Sequence, residues 1–201
     1  MVVVHQKEEG FKAQIMAKVT TPKGKLVRKF GENIFGNPKY DKLLNRKPYA
    51  PGQHGQGRRS KLSNYGIQLQ EKQKIKFMYG LLEKQFKLTF QKADKMEGET
   101  GTNMLQLLES RLDNIVYRVG FAPSRPAARQ LVSHKHFLVN NKVVNIPSYI
   151  VKPGDTVEVR VKSKKMDIIL ESMRRIKGDI DLAWLSLDKA KMKGTFISVP
   201  D

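Results

Sequence analysis

The stretch RPAARQLVSHKHFLVNNKVVNIPS, residues 125–148, leaves few folds open to the chain that carries it. It begins as a helix and ends as a hairpin. Ser124 is a good N-cap, and Pro126 is acceptable in a first turn, where no intrahelical partner awaits its missing N–H. Ala128, Leu131 and Val132 fall on the inward side of that helix. Arg125 and Arg129 lie one turn apart, with Ser133 and His136 near the same side. FLV and KVV then flank Asn140–Asn141, a pair that tolerates the positive φ of a tight hairpin turn. KPGD at 152–155 is another turn. After it, Val157, Val159 and Val161 alternate with Thr156, Glu158 and Arg160, the pattern of a half-buried strand.

Upstream, Asn103 is expected to cap a helix running to about Val119. Met104, Leu108, Leu112, Ile115, Val116 and Val119 form its buried stripe, and Gly120 stops it. Arg111, Asn114 and Arg118 share a different face. Residues 104–161 therefore read helix, turn, helix, hairpin, turn, strand. Residues 63–95 are also helical, capped by Ser63 or Asn64, bent at Gly80, and apolar along Leu82, Phe86, Phe90 and Ala93. Residues 16–62 show little periodicity; Gly and Pro punctuate them between basic pairs, and such a segment is expected to order only against a partner. The fold class is α+β. A basic arm (1–62) precedes a helical domain (63–103, rejoined by 178–201), into which a module of two helices on a small, mostly antiparallel sheet is inserted (104–177).

Charge decides the class of partner. Arg125, Arg129, His134, Lys135, His136 and Lys142 form one positive edge running from helix to hairpin. The chain of 201 residues carries 38 Lys and Arg against 19 Asp and Glu, a net charge of +19. Self-repulsion of that size is tolerated when a polyanion neutralises it, nucleic acid or an anionic membrane. Basic residues outnumber acidic ones in 1–47, in 48–100 and in 101–201, so the polyanion is expected on several sides. There is no cysteine, which excludes disulfides and thiolate metal sites. No apolar run approaches the roughly 18–20 residues that span a bilayer. Residues 1–15 lack a signal-peptide core and contain Glu8 and Glu9, unlike a transit peptide. The expected setting is cytoplasmic.

PYAPGQHGQGRRSK, residues 48–61, is the sharpest part of the arm. Its glycines let backbone approach phosphates closely, and its arginines can grip them bidentately. The candidate RNA contacts are Arg28, Lys29, Arg46, Lys47, His54, Arg58, Arg59 and Lys61 in the arm. In the module they are Arg111, Asn114, Arg118, Ser124, Arg125, Arg129, Ser133, His134, Lys135, His136, Asn140 and Lys142. The Asn, Ser and His groups can hydrogen-bond phosphate or ribose, which suits RNA read by shape.

SRLDNIVYRVGFAPSRPAARQLVSHKHFLVNNKVVNIPSYIVKPGDTVEVR closely resembles the RNA-binding module named after small-subunit ribosomal protein four. PYAPGQHGQGRRSKLSNYGIQLQEKQKIKFMYGLLEKQF and MAKVTTPKGKLVRKFGENIFG resemble the N-terminal half and start of that bacterial family. The resemblance covers roughly residues 16 to 200. It implies a non-enzymatic constituent of the small subunit that binds 16S-type RNA directly, near a junction of helices in the 5′ domain. It further implies nucleation of the subunit body, an influence on decoding accuracy with ribosomal proteins five and twelve, a position near the mRNA entry path, and no homo-oligomer. Many members hold zinc through N-terminal cysteines; this chain has none, so neither zinc nor any other cofactor is expected. Residues 1–15 precede the family's usual start, and members usually continue past GTFISVP.

Other readings are weaker. Pseudouridine synthases share the module and an RLD motif, but the RLD at Arg111–Asp113 sits inside the module's first helix, with no catalytic-sized domain beside it. KSKKM at 162–166 superficially resembles a lysine loop of tyrosyl-tRNA synthetases, which share the module, without a nucleotide-binding half. His134 and His136 could pair on a strand as metal ligands, but no third ligand is evident and the basic surroundings repel a cation. A free RNA chaperone built on the module would lack the extended PGQHGQGRR half.

Overall fold

Apolar spacing builds three small cores among the described residues. The computed structural model describes residues 19–57, 61–175 and 182–200. The first core corrects the expectation of an unstructured arm. KGKLVRKF forms α1 (Lys23–Phe30), and α2 (Pro38–Arg46) follows, with the Asn37 side chain accepting from the Lys39 N–H and Pro38 in the first turn. Leu26, Phe30 and Ile34 bury themselves against Phe77 and Met78 of the next helix. Arg28 then folds the PYAPGQ loop back. Its guanidinium donates to the carbonyls of Tyr49 and Ala50, both at 3.0 Å, and stacks on the Tyr49 ring at 4.7 Å. Gly55 closes that loop, because a Cβ there would lie 1.9 Å from the Ala50 carbonyl oxygen.

The second core is helical. α3 (Asn64–Met78) is capped by Ser63, whose oxygen accepts from the Gly66 N–H. Gly80, at φ +64°, makes the expected bend into α4 (Glu83–Ala93), which packs on α5 (Thr100–Glu109). Tyr79, Leu81, Phe86, Ala93, Met104 and Leu108 fill this layer. Phe90, expected on the buried face, is 48% exposed.

The helix expected over 103–119 is two. α5 ends at Glu109 and α6 (Leu112–Arg118) begins after a break at Ser110 and Arg111. The cause is distant in sequence. The segment around residues 147–151 runs alongside and supplies acceptors for the first N–H groups of α6: Leu112 donates to Tyr149 at 2.8 Å and Asp113 to Pro147 at 3.1 Å. Asn103 is not a cap. It lies within α5, and its amide reaches back to the carbonyls of Ala93, Met96 and Glu97. The predicted stripe is nonetheless buried throughout.

The third core belongs to the module. α7 (Arg125–Ser133) starts at the Ser124 cap and leads into β1 (Phe137–Val139) and β2 (Lys142–Val143). Asn140 and Asn141 take φ of 48° and 64°, as the hairpin required. β3 (Thr156–Val159) pairs with β1, Phe137 opposite Val159. Val161 leaves the strand for a 3₁₀ turn (Val161–Ser163) and is 75% exposed. After α8 (Asp167–Arg174) come β4 (Leu185–Asp188) and β5 (Lys193–Phe196). The antiparallel sheet has the order β2-β1-β3-β5-β4. The described residues of the C-terminal segment thus extend the module's sheet instead of returning to the helical domain. β5 pairs with the side of β3 opposite β1, and Leu185 and Phe196 join the core of α6, α7 and the sheet.

Candidate nucleic-acid interface

Four arginines of the expected RNA face are turned to internal use. Glu109, at the end of α5, is buried and accepts four side-chain donors. The Tyr79 hydroxyl donates at 2.6 Å, the Asn114 amide at 2.6 Å, and Arg118 bidentately at 3.0 and 2.6 Å. Burial alone would raise the Glu109 carboxyl, but the bonds and charge of Arg118, with Tyr79 and Asn114, hold it below its ordinary value. Burial, reinforced by the Glu109 charge and hydrogen bond, pushes the Tyr79 hydroxyl well above its ordinary value. Arg125 donates to Asn114 Oδ1 at 2.8 Å and lies between the Tyr79 and Tyr117 rings, 4.8 and 4.7 Å from their centroids.

Asp113 organises the second half of this hub. Arg111 grips it with two bonds of 3.0 and 2.8 Å, and Arg129 with Nε at 3.2 Å, while Arg129 Nη1 donates to the Gly80 carbonyl at 3.0 Å. Arg111 is only 7% exposed, and its charge is matched by Asp113 inside the fold. Asn114, at 2% exposure, is likewise held inside, donating to Glu109.

Other assigned polar groups also serve the fold. Ser124 caps α7, and the Ser133 hydroxyl donates to the Arg129 carbonyl. Asn140 ties the hairpin to the KPGD turn: it donates to Asp155 Oδ1 at 2.7 Å and accepts from the Thr156 N–H at 2.9 Å. Arg28 holds the arm loop, as described above. His136 Nδ1 sits 2.8 Å from the Ser163 hydroxyl, and burial, then the charges of His134 and Arg160, lower its affinity for a proton. The two histidine rings stand 6.2 Å apart at the end of α7 and before β1, and no cluster of three metal-ligating residues occurs among the described residues.

What remains outward is a smaller set. His134, Lys135 and Lys142 are exposed along the α7–hairpin edge, and none is in an ion pair among the described residues. Lys29, Arg46, Lys47, His54 and Lys61 are exposed in the arm; Arg58 and Arg59 lie outside the described residues. The sequence reading missed Lys39 and Lys42. With Arg46 and Tyr40 they line a cleft of about 590 Å³ between α1 and α2, floored by Gly24 and Leu43. Their spacing of three and four with Arg46 puts all three on one helix face, a signal available once α2 is recognised as a helix.

This combination, a helical layer joined through a polar hub to a two-helix module on a small sheet with a cationic rim, defines the S4-domain class. Residues 110–157 match the S4 domain, and residues 18–109 match the ribosomal protein S4/S9 N-terminal domain. The chain is 52% identical over 177 residues to the small ribosomal subunit protein uS4 of Chlorobium luteolum, covering 88% of this chain and 86% of that one. It is 52% identical to the uS4 protein of Parabacteroides distasonis and 53% identical to that of Bacteroides fragilis, each covering 92% of this chain and 90% of the relative. The chain belongs to the small ribosomal subunit protein uS4 family, whose members are structural constituents of the ribosome and not enzymes. No helix among the described residues is long and apolar enough to cross a membrane.

Proposed function

We propose that this chain binds small-subunit ribosomal RNA directly in the 5′ domain of that RNA and nucleates assembly of the subunit body in the cytoplasm. Beside ribosomal proteins five and twelve, near the mRNA entry path, it contributes to decoding accuracy. The observation that carries the RNA reading is the division of the cations. In the hub, Arg111, Arg118 and Arg129 are paired with Asp113 or Glu109 and Arg125 is held by Asn114 and two tyrosine rings, whereas His134, Lys135, Lys142 and the α2 face have no carboxylate partner among the described residues. Cations left unpaired on a rigid rim are what phosphates neutralise, with release of condensed counterions. The working division is an arm over 1–62, a helical part from 63 to the end of α5 at Glu109 and a module from 110 that takes in the C-terminal strands. Arg58 and Arg59 extend the arm's contacts.

Equilibrium binding of the full chain to a 5′-domain RNA fragment, across salt concentrations and against an unrelated structured RNA, tests this. The expected result is competitor-resistant binding that weakens steeply with salt, by about 10³-fold or more between 50 and 200 mM for six or more phosphate contacts. Equal affinity for both RNAs would make the surface generic and favour a free RNA chaperone, a reading that substoichiometric recovery with purified small subunits would strengthen.

A further inference from the structure

We infer that the buried hub centred on Glu109 is a positioning device. It locks the module at one angle to the helical layer, and that angle, not a phosphate contact, is its contribution to RNA binding. The inference rests on the RNA-binding reading above. Covalently, the two parts meet only through Ser110 and Arg111, where the helix breaks, and the matches to the two family domains abut at the same place, one ending at residue 109 and the other beginning at 110. A two-residue break between helices is a hinge unless something spans it. The hub spans it twice. Tyr79 and Glu109 on the helical side hold Asn114, Arg118 and Arg125 on the module side. Arg129 of α7 reaches across to the carbonyl of Gly80, the left-handed residue at the bend between α3 and α4.

The groups are also wrongly disposed to grip RNA. Arg118 has Nε and Nη2 on Glu109, Arg125 is sandwiched between two tyrosine rings, and Arg129 divides its donors between Asp113 and Gly80. Two cationic surfaces, the α2 face and the α7–hairpin edge, sit on opposite sides of the joint in the chain. A locked joint raises the effective concentration of the second surface once the first has bound. A loosened joint lowers affinity while the number of phosphates neutralised in the final complex stays the same. The log–log salt slope reports that number and so separates positioning from contact.

The test uses the full chain and the 5′-domain fragment as probe. Tyr79→Phe removes one hydroxyl and keeps the ring on Arg125; Glu109→Gln keeps the shape and removes the charge. Because the chain has no cysteine, spin labels at Gln91→Cys in α4 and Gln130→Cys in α7 report the angle by their distance distribution. The expected result is a narrow distribution in the parent that broadens in both hub variants, with affinity about tenfold weaker at every salt concentration and an unchanged slope. Lys135→Ala with Lys142→Ala should instead keep the distribution narrow and lower the slope by about one per residue. A distribution that stays narrow in both hub variants, an unchanged affinity, or a slope that falls in them would each overturn the inference. If the parent shows no preference for the fragment, the RNA reading fails, and the distance distributions alone decide whether the hub is a lock.

Discussion

Glu109 carries the clearest electrostatic consequence of the fold. Its folded-state proton affinity is depressed, so it stabilises the protein above the ordinary carboxyl value of 4.5, and that contribution is lost as pH falls through the lower folded value. Urea unfolding between about pH 6 and about pH 3.5 should show the parent losing stability that Glu109→Gln has already lost, so the two curves converge in acid; parallel curves would contradict this. Asp113 faces Arg111 and Arg129 in a largely buried site. Asp113→Ala is expected to cost about 3–5 kcal/mol in urea unfolding, because it strands two guanidinium groups. For the same reason Arg125→Glu with Arg129→Glu should loosen or unfold the joint, not merely weaken RNA binding. At this scale the sequence showed that the arginines matter but not whom they face. Arg111 and Asp113 are two apart, a spacing that does not meet on a helix; only the break at 110–111 lets them pair.

The elements were legible where the signal is local. The Ser124 cap, the buried side of α7, the Asn140–Asn141 turn and the Gly80 bend follow from residue chemistry within a few positions. The elements missed depend on distant partners. The split between α5 and α6 needs the carbonyls of Pro147 and Tyr149. β4 and β5 are four residues each, and β5 contains Gly194, so neither announces itself. Gly194 is required by packing: a Cβ there would lie 3.0 Å from both Val119 methyl carbons. Gly194→Val should destabilise the protein by about 1–3 kcal/mol in thermal or urea unfolding. Unchanged stability would mean that β5 does not sit on α6. α1 and α2 escaped notice because Gly and Pro at their ends dominate a short-window reading, although Leu26 and Phe30 already stand four apart.

Across the whole molecule, a net charge of +19 made a polyanionic partner legible from composition alone, and the family resemblance supplied which one. What composition could not do was divide the cations into those that hold the fold together and those that face outward. That division is the central claim, and lysine acetylation footprinting of the full chain, free and bound to the 5′-domain RNA fragment, tests it most directly. The account predicts that Lys39, Lys42, Lys135 and Lys142 are modified in the free protein and protected in the complex. It also predicts that the Arg111 and Asn114 site stays closed in both states, with urea unfolding stabilised by RNA only as far as mass action requires. Lysines on the α2 face and the hairpin edge that remain equally reactive in the bound state would contradict it.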